Sequence, residues 1–328
     1  MTEVYAPTPK RSSSYDRKHT ILRVHLVQCD GEFGIMHGMP KRSSESGVIV
    51  FSRFCLFVGT VCIGFSAIFV RLAGVPGVVA AFYRMLIALA ALLPIWLLRN
   101  RKLPDKRTLL LSTLAGIFFG IDLSMWNTAL FLTNAATATV LAYLAPVWVG
   151  LGAMIFLKDR LRKFYWPGTI VALSGMLFIL GMARIKTLEF GLGNSLAIIA
   201  SFFYAGYLLT TQVAREKSGT LAFTTFSVLA SMITLLVICL SRHETLRGFS
   251  FESWAALLAL GLITHVVGWL SINYALGHIR ASIASVTLLG QPVITALAAI
   301  PILGESLRSN EIAGILLILT GIYLVNRT

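Results

Sequence analysis

Apolar runs of about 20 residues alternate with short polar segments from about residue 51 to the end of the chain. A run of that length crosses the roughly 30 Å hydrocarbon core of a bilayer as an α-helix. In the hydrocarbon the backbone must satisfy its own hydrogen bonds, which favours helices. The pattern therefore predicts an all-α polytopic membrane protein with ten transmembrane helices. The predicted spans are 51–71, 77–98, 109–131, 134–156, 164–184, 191–213, 219–240, 254–275, 280–303 and 309–326.

Composition and charge support this interpretation. The 328 residues are 56% hydrophobic and only 13% charged, and the formal net charge is +14. With a cytoplasmic N-terminus, 14 of the 21 Lys and Arg residues after position 50 fall inside, six fall outside and Arg84 lies within a span. This positive-inside bias places both termini in the cytoplasm and explains the charge without a nucleic-acid partner.

Residues 1–50 form a polar tail that we expect to be cytoplasmic and disordered. The tail has seven basic and five acidic residues, and it lacks an apolar core of signal-peptide length. A regulatory or lipid-binding tail is the alternative. The four cysteines show no CxxC spacing, and three lie in predicted spans, so we expect buried apolar residues and no disulfide or metal site.

The chain repeats itself at an offset of 146 residues. Residues 127–175 align without a gap on 273–321, which indicates a duplication. The aligned pairs include Asn127 with Asn273, Pro146 with Pro292, Asp159 with Glu305, Gly168 with Gly314, and Gly175 with Gly321. The predicted repeats are 51–184 and 191–326, with five spans each.

An odd number of spans in each repeat predicts that the second repeat is inverted in the membrane. The loop 158–163 reads KDRLRK, whereas the aligned loop 304–309 reads GESLRS and has lost three cations, as expected for an external loop. Two inverted five-helix repeats are found in many secondary transporters, because related bundles can rock about a site at the midplane.

The paired motifs LAPVWVGLGAMIFLKDRL and LGQPVITALAAIPILGESL, each followed by two glycines, resemble the EamA-type drug/metabolite transporter superfamily. Residues 69–94 resemble the first loop and second helix of that family, including an arginine, here Arg84. The first repeat departs from the family pattern by having LKD in place of LGE. The resemblance covers about 55–326 and implies ten helices around a central cavity that exports or exchanges small metabolites.

Asp122 is the only charged residue between positions 109 and 133. A charged side chain at the bilayer centre costs about 2.5–3.5 kcal/mol on insertion scales, so we expect it to face a cavity or a cation. Helical spacing puts Phe119, Asp122 and Trp126 on one face, with Trp126 as an aromatic wall. Gly116, Gly120 and Asn127 form a separate seam of small and polar residues, suited to close helix contact.

Arg84, at a similar predicted depth, is the candidate partner of Asp122. Three interpretations remain open. The two residues form a structural pair, or Asp122 carries a proton while Arg84 tunes it or binds an anionic solute, or Asp122 is a satisfied polar residue without a special role.

His265 lies in the middle of the eighth predicted span and shares a face with Gly261, Gly268 and Trp269. The repeat aligns it with Phe119, so we expect it to face the same cavity as Asp122. Histidine titrates near neutral pH, which makes His265 a second candidate for proton coupling. A satisfied buried histidine is the alternative. The remaining candidate cavity aromatics are Tyr143, Trp148, Tyr204, Tyr207, Trp269 and Tyr274, although each could simply pack.

Pro146 and Pro292 are predicted to interrupt the fourth and ninth spans at matching places. They act either as hinges or as inherited packing kinks. Asn127 and Asn273 are predicted to form interhelical hydrogen bonds.

The sequence has no HExxH, Walker or paired-carboxylate motif, and we expect neither an enzyme nor a cofactor. It predicts a secondary transporter of the plasma membrane that moves a small organic metabolite or drug by alternating access, as an exporter. The expected partners are the solute and the lipid bilayer, and a homodimer is compatible with the pattern. A membrane-embedded enzyme or lipid-handling protein using Asp122 and His265 is the alternative, and a non-transporting scaffold is the third.

Overall fold

The structure is a computed structural model that describes residues 41–99, 103–133, 135–180, 191–303 and 308–327. All regular structure in these ranges is helical. Nine of the described helices are long and apolar enough to cross a membrane, and a tenth, Tyr165–Leu180, is apolar but shorter. The predicted all-helical, polytopic fold is confirmed.

We number the spans in chain order, and several contain more than one helical segment. The described helices of the first half are Lys41–Gly64 with Ser66–Ala73 (span 1), Gly77–Arg99 (span 2), Lys106–Leu132 (span 3), Ala135–Ala142 with Ala145–Ile155 (span 4) and Tyr165–Leu180 (span 5). Those of the second half begin with Leu192–Arg215 (span 6) and Thr220–Ser241 (span 7). They continue with Phe251–Ala259, the π-helix Leu260–Trp269 and the α-helix Leu270–Leu276 (span 8), then Ala281–Thr287, the 3₁₀ turn Leu288–Gly290 and the α-helix Gln291–Leu303 (span 9), and end with Ser309–Arg327 (span 10).

The first helix begins earlier than the sequence pattern predicted. It starts at Lys41, and its apolar part extends back through Val48–Val50. Residues 41–50, which the sequence pattern assigned to the tail, are therefore helical. Residues 1–40, to which the rest of the tail prediction refers, lie outside the described residues, as does Glu305.

Spans 5 and 10 pack through two pairs of glycines. A Cβ atom on Gly168 would lie 2.8 Å from the backbone oxygen of Gly321, and one on Gly175 would lie 2.6 Å from that of Gly314. The spans therefore run antiparallel at close range. The repeat aligns Gly168 with Gly314 and Gly175 with Gly321. The contact between Gly168 and Gly321 is therefore equivalent to the contact between Gly314 and Gly175. This geometry is that of an inverted repeat.

The same exchange relates the packing around the other spans. Span 3 packs on spans 6 and 7, and its repeat equivalent, span 8, packs on spans 1 and 2. Gly116 of span 3 approaches Ser227 of span 7, while Gly261 of span 8 approaches Ile87 of span 2. Small residues let these helix backbones come close, so the two halves interlock through spans 3 and 8.

Spans 4 and 9 are interrupted at equivalent points. Span 4 breaks at Tyr143 and Leu144, and span 9 has a 3₁₀ turn at Leu288–Gly290. Pro146 and Pro292 are each the second residue of the helix that follows the break. A proline fits there because the first-turn N–H groups of a helix have no intrahelical partner. The prolines thus begin new helical segments, and each interruption precedes its proline.

Candidate functional site

Arg84 is buried in span 2, with 5% of its surface exposed. Its Nη1 donates a hydrogen bond to the Ser66 hydroxyl of span 1 at 3.3 Å. Among the described residues, the Nε and Nη2 groups have no hydrogen-bond partner, and no carboxylate lies within the 4.0 Å of an ion pair from this guanidinium. The Ser66 hydroxyl is the one hydrogen-bond partner of the guanidinium in the part of the chain that the structure describes.

Asp122 lies in span 3, and 8% of its surface is exposed. Arg84 of span 2 and Asp122 of span 3 are both buried, and their charged groups do not lie within the 4.0 Å of an ion pair.

Five rings from spans 3, 6 and 8 form what we call the aromatic cluster: Phe119, Tyr204, Tyr207, His265 and Trp269. Ring centroids of Phe119 lie 4.6 Å from Tyr207, 4.7 Å from Trp269 and 5.9 Å from His265, and Tyr204 lies 6.0 Å from Trp269. The cluster contains residues of both halves. Phe119 and His265 are repeat equivalents in contact with each other, so the cluster lies where the halves meet.

His265 and Trp269 belong to a π-helical segment, Leu260–Trp269. Such segments are rare and frequently occur at functional sites. The equivalent part of span 3 is α-helical throughout. The wider turn of this π-helix changes which side chains of span 8 share a face. The residue pattern of the segment does not predict the π-helix. Sequence reasoning also missed Ser66 as a partner of Arg84.

Two polar atoms in the cluster, the Trp269 Nε1 and the His265 Nδ1, are buried and have no hydrogen-bond partner among the described residues. The buried Tyr204 hydroxyl lies beside the Gln291 side chain. Buried polar groups without partners are costly and rare in native proteins unless water or a ligand satisfies them. Together with Nε and Nη2 of Arg84, the Trp269 and His265 atoms are buried hydrogen-bonding groups at the interface between the halves that lack a partner among the described residues.

Asn273 is the centre of a buried network that joins spans 6, 7 and 8. Its Oδ1 accepts from the Tyr207 hydroxyl at 2.9 Å, and its Nδ2 donates to the Thr224 hydroxyl at 3.1 Å. Its backbone oxygen accepts from Nε of Arg215 at 3.1 Å. Arg215 also donates to Thr220 and to the backbone oxygen of Ser218. Asn273 thus makes the interhelical bonds that the sequence predicts.

Asn127, the repeat equivalent of Asn273, has poorer contacts. Its Nδ2 donates only to Leu123 in its own helix at 2.7 Å, and its Oδ1 has no partner. It does lie close against Gly77 at the start of span 2, where a Cβ would be 2.8 Å from Oδ1. Asn127 therefore contacts span 2, whereas the other seam residues, Gly116 and Gly120, contact span 7.

The remaining predicted residues lie outside the aromatic cluster. Trp126 is half-buried, and among the described residues no ring contact joins it to the cluster. The backbone oxygen of Pro146 accepts a hydrogen bond from the Tyr165 hydroxyl at 2.5 Å, which ties span 4 to span 5. Pro292 is buried and follows Gln291, whose Oε1 accepts from the Tyr143 hydroxyl at 3.4 Å.

Two segments, residues 51–181 and 191–327, each match the EamA-like transporter family. The chain belongs to this family. The resemblance seen in the paired motifs is thereby confirmed. Membership of this family indicates that the chain is a multi-pass membrane protein and a transporter.

Curated relatives within this EamA-like group are named as transporters or exporters. The chain is 25% identical to the uncharacterized transporter YdfC of Bacillus subtilis, over 76% of this chain and 82% of the relative. It is 27% identical to an uncharacterized transporter of Clostridium kluyveri, over 61% and 66%. It is 25% identical to the probable terminal-alkyne amino-acid exporter of Streptantibioticus cattleyicolor, over 59% and 64%.

The fold is also similar to that of a solved crystal structure, with a TM-score of 0.72. The match covers 86% of this chain and 97% of the other at 19% sequence identity, which shows a shared fold.

Proposed function

We propose that this EamA-family protein is a secondary transporter that exports a small organic metabolite by alternating access. The observation that carries the proposal is the set of buried, unpaired polar groups at the interface of the two inverted halves. In secondary transporters with inverted repeats, solute and coupling-ion sites lie at the interface of the repeats near the midplane. Arg84, Asp122 and His265 come from spans 2, 3 and 8, and both halves therefore contribute to the site.

The breaks in spans 4 and 9 supply the flexibility that this proposal needs. They occur at equivalent positions, before Pro146 and Pro292, so each half has the same point of bending. Irregular backbone at membrane depth is tolerated where it is buried in protein or lines a cavity. We assign the two breaks as hinges about which the halves open alternately.

The export direction rests on the names of relatives, one a probable terminal-alkyne amino-acid exporter and another, from Pseudomonas aeruginosa, the pseudopaline exporter CntI. The positive-inside charge bias supports the proposal that the protein lies in the plasma membrane with both termini in the cytoplasm. A homodimer is compatible with this arrangement.

Asp122 is the proposed proton carrier. It is a buried acid within a span, and among the described residues no ion pair joins it to a cation. Acids inside membrane spans commonly form proton relays in transporters. In the proposed cycle a proton and the solute occupy the Asp122 region in turn, so that proton entry drives solute exit.

The alternative of a membrane-embedded enzyme is less well supported. Nucleophilic or acid–base catalysis needs groups within hydrogen-bond reach of each other or of a substrate. Among the described residues, no hydrogen bond or ion pair joins Asp122 to His265, and the His265 Nδ1 has no partner. The family and its relatives also point to transport.

The test is flux into proteoliposomes with an acidic lumen, using a panel of amino acids, nucleosides, sugars and cationic drugs. We expect the wild type to accumulate at least one solute class. The Asp122→Asn variant should lose accumulation driven by the pH gradient but keep solute exchange. Glu252→Gln, an exposed acid in the first turn of span 8, is the matched control and should behave as wild type.

Two results would contradict the proposal. Gradient-driven accumulation that survives in Asp122→Asn would remove this residue from proton coupling. A wild type that moves no member of the panel, in vesicles shown to contain folded protein, would count against transport of small organic solutes.

A further inference from the structure

One edge of the Arg84 guanidinium has no hydrogen-bond partner among the described residues. Nη1 donates to Ser66, whereas Nε and Nη2 on the other edge are buried and unpartnered. The Nε–H and one Nη2–H bond point in parallel from the same edge of the planar group. That edge matches the two oxygens of a carboxylate, which it binds through two parallel hydrogen bonds.

The acid on the neighbouring span does not fill this edge. The Asp122 carboxylate of span 3 is not within ion-pair distance of the Arg84 guanidinium. A buried guanidinium with two free N–H groups is energetically unfavourable. The site therefore has the form of a receptor for an anion that the protein itself does not supply.

A nearby group without a partner is also a donor. The indole Nε1 of Trp269 is a donor only and has no partner among the described residues, while the hydroxyl of Tyr204 lies beside the Gln291 side chain. Their rings lie 6.0 Å apart, and Tyr204 is among the groups that interact with Arg84 through space. Phe119 packs at 4.7 Å against Trp269 and adds an apolar surface. The surroundings suit a solute with an anionic end and an apolar body.

We propose that the transported solute carries a carboxylate, which binds side-on to Nε and Nη2 of Arg84, with its apolar part against the aromatic cluster. This inference rests on the proposed transport function and specifies the chemistry of its solute. An amine on the same solute would face Asp122, so a zwitterion would use both charges.

Three probes that share one aromatic body test this inference: L-phenylalanine, 3-phenylpropanoate and phenethylamine. Affinities are measured from thermal unfolding of the purified full-length protein at increasing probe concentration. We expect the two carboxylates to stabilise the wild type, and the amine to have little effect. Arg84→Lys keeps the charge but loses the two-pronged edge, and should raise the Kd of both carboxylates about tenfold or more.

Arg71→Lys is the matched control. Arg71 is an exposed arginine in span 1, and its replacement should leave the affinities unchanged. If Arg84→Lys does not fold, Ser66→Ala serves instead, because it removes the hydroxyl that orients the guanidinium. It should weaken carboxylate binding without changing the response to the amine.

The inference is overturned if phenethylamine binds the wild type as tightly as the two carboxylates do. It is also overturned if neither carboxylate stabilises the wild type, or if the carboxylate affinities survive in both Arg84→Lys and Ser66→Ala. The proposed function fails separately. A protein that accumulates phenethylamine through Asp122, and ignores 3-phenylpropanoate, remains a proton-coupled transporter while the carboxylate inference is refuted.

Discussion

Asn127 and Asn273 occupy equivalent positions in spans 3 and 8, at opposite faces of the membrane, yet their surroundings differ. Asn273 is held by a buried network with Tyr207, Thr224 and Arg215. Asn127 bonds only within its own helix and has an unpaired oxygen. Side-chain bonds at the same end are an exposed bond of 2.7 Å from Arg242 to Thr128 and a part-buried bond of 2.8 Å from Thr133 to Asn194.

The difference shows that the helix contacts around Asn127 and around Asn273 are not equally stable, although the two halves share one backbone arrangement. Hydrogen bonds that are buried and involve a charge contribute more than exposed ones, since water does not compete for the same groups. Separating spans 6, 7 and 8 around Asn273 therefore costs more than separating the helices around Asn127. In the proposed orientation the stronger end is cytoplasmic.

The largest expected effect comes from removing the cation of the network. Arg215→Ala should lower the free energy of unfolding by about 4 kcal/mol, because it leaves several buried acceptors without a donor. Chemical or thermal unfolding in detergent measures the loss. Arg242→Ala at the other end is the control and should cost about 1 kcal/mol or less. Equal losses for the two variants would break the comparison.

A smaller effect is expected where the two halves are alike. Gly168→Ala and Gly314→Ala introduce methyl groups against the backbone of the opposing span, and each should cost about 2 kcal/mol. Because the positions are equivalent, the two losses should agree within about 0.5 kcal/mol. Unfolding measurements compare them with Gly219→Ala, which has open space around its Cβ and should cost less. Clearly different losses of unfolding free energy for Gly168→Ala and Gly314→Ala would argue against a two-fold contact.

The smallest effect sharpens the comparison at the asparagines themselves. Asn273→Ala should cost about 1.5 kcal/mol, because the Tyr207 and Thr224 hydroxyls lose their partner. Asn127→Ala should cost about 0.5 kcal/mol or less, since it removes one local bond and an unpaired oxygen. The two variants are each other's control. If Asn127→Ala proves the more harmful, the assignment of the stronger end is reversed.

Much of the fold was predictable because each predictive signal is local or periodic. Apolar runs predicted the spans, and the aligned glycines and prolines revealed the repeat. The start of span 1 was missed because the boundary was set by the polar run before it, although Val48–Val50 continue the apolar pattern.

The site was only partly predictable. Arg84, Asp122 and His265 could be named as candidates because charged or titratable residues inside a span are unusual. The free edge of Arg84 and the hydroxyl of Ser66 depend on side-chain geometry, which residue spacing does not reveal. Trp126 was expected in the cluster from ideal α-helical spacing on span 3. The structure instead assigns the aromatic contacts to Tyr207 of span 6 and to Trp269, which lies in a π-helical segment of span 8.

The glycine contact between spans 5 and 10 has a consequence for the history of the chain. Its two sides are built from equivalent residues, and the contact is therefore isologous, like the interface of a two-fold symmetric homodimer. A five-span ancestor inserted in both orientations would present this same surface to its inverted copy and associate through it. Gene fusion would then make that association permanent and free each half to diverge. At the 146-residue offset, the first half has Asp122 where the second half has Gly268.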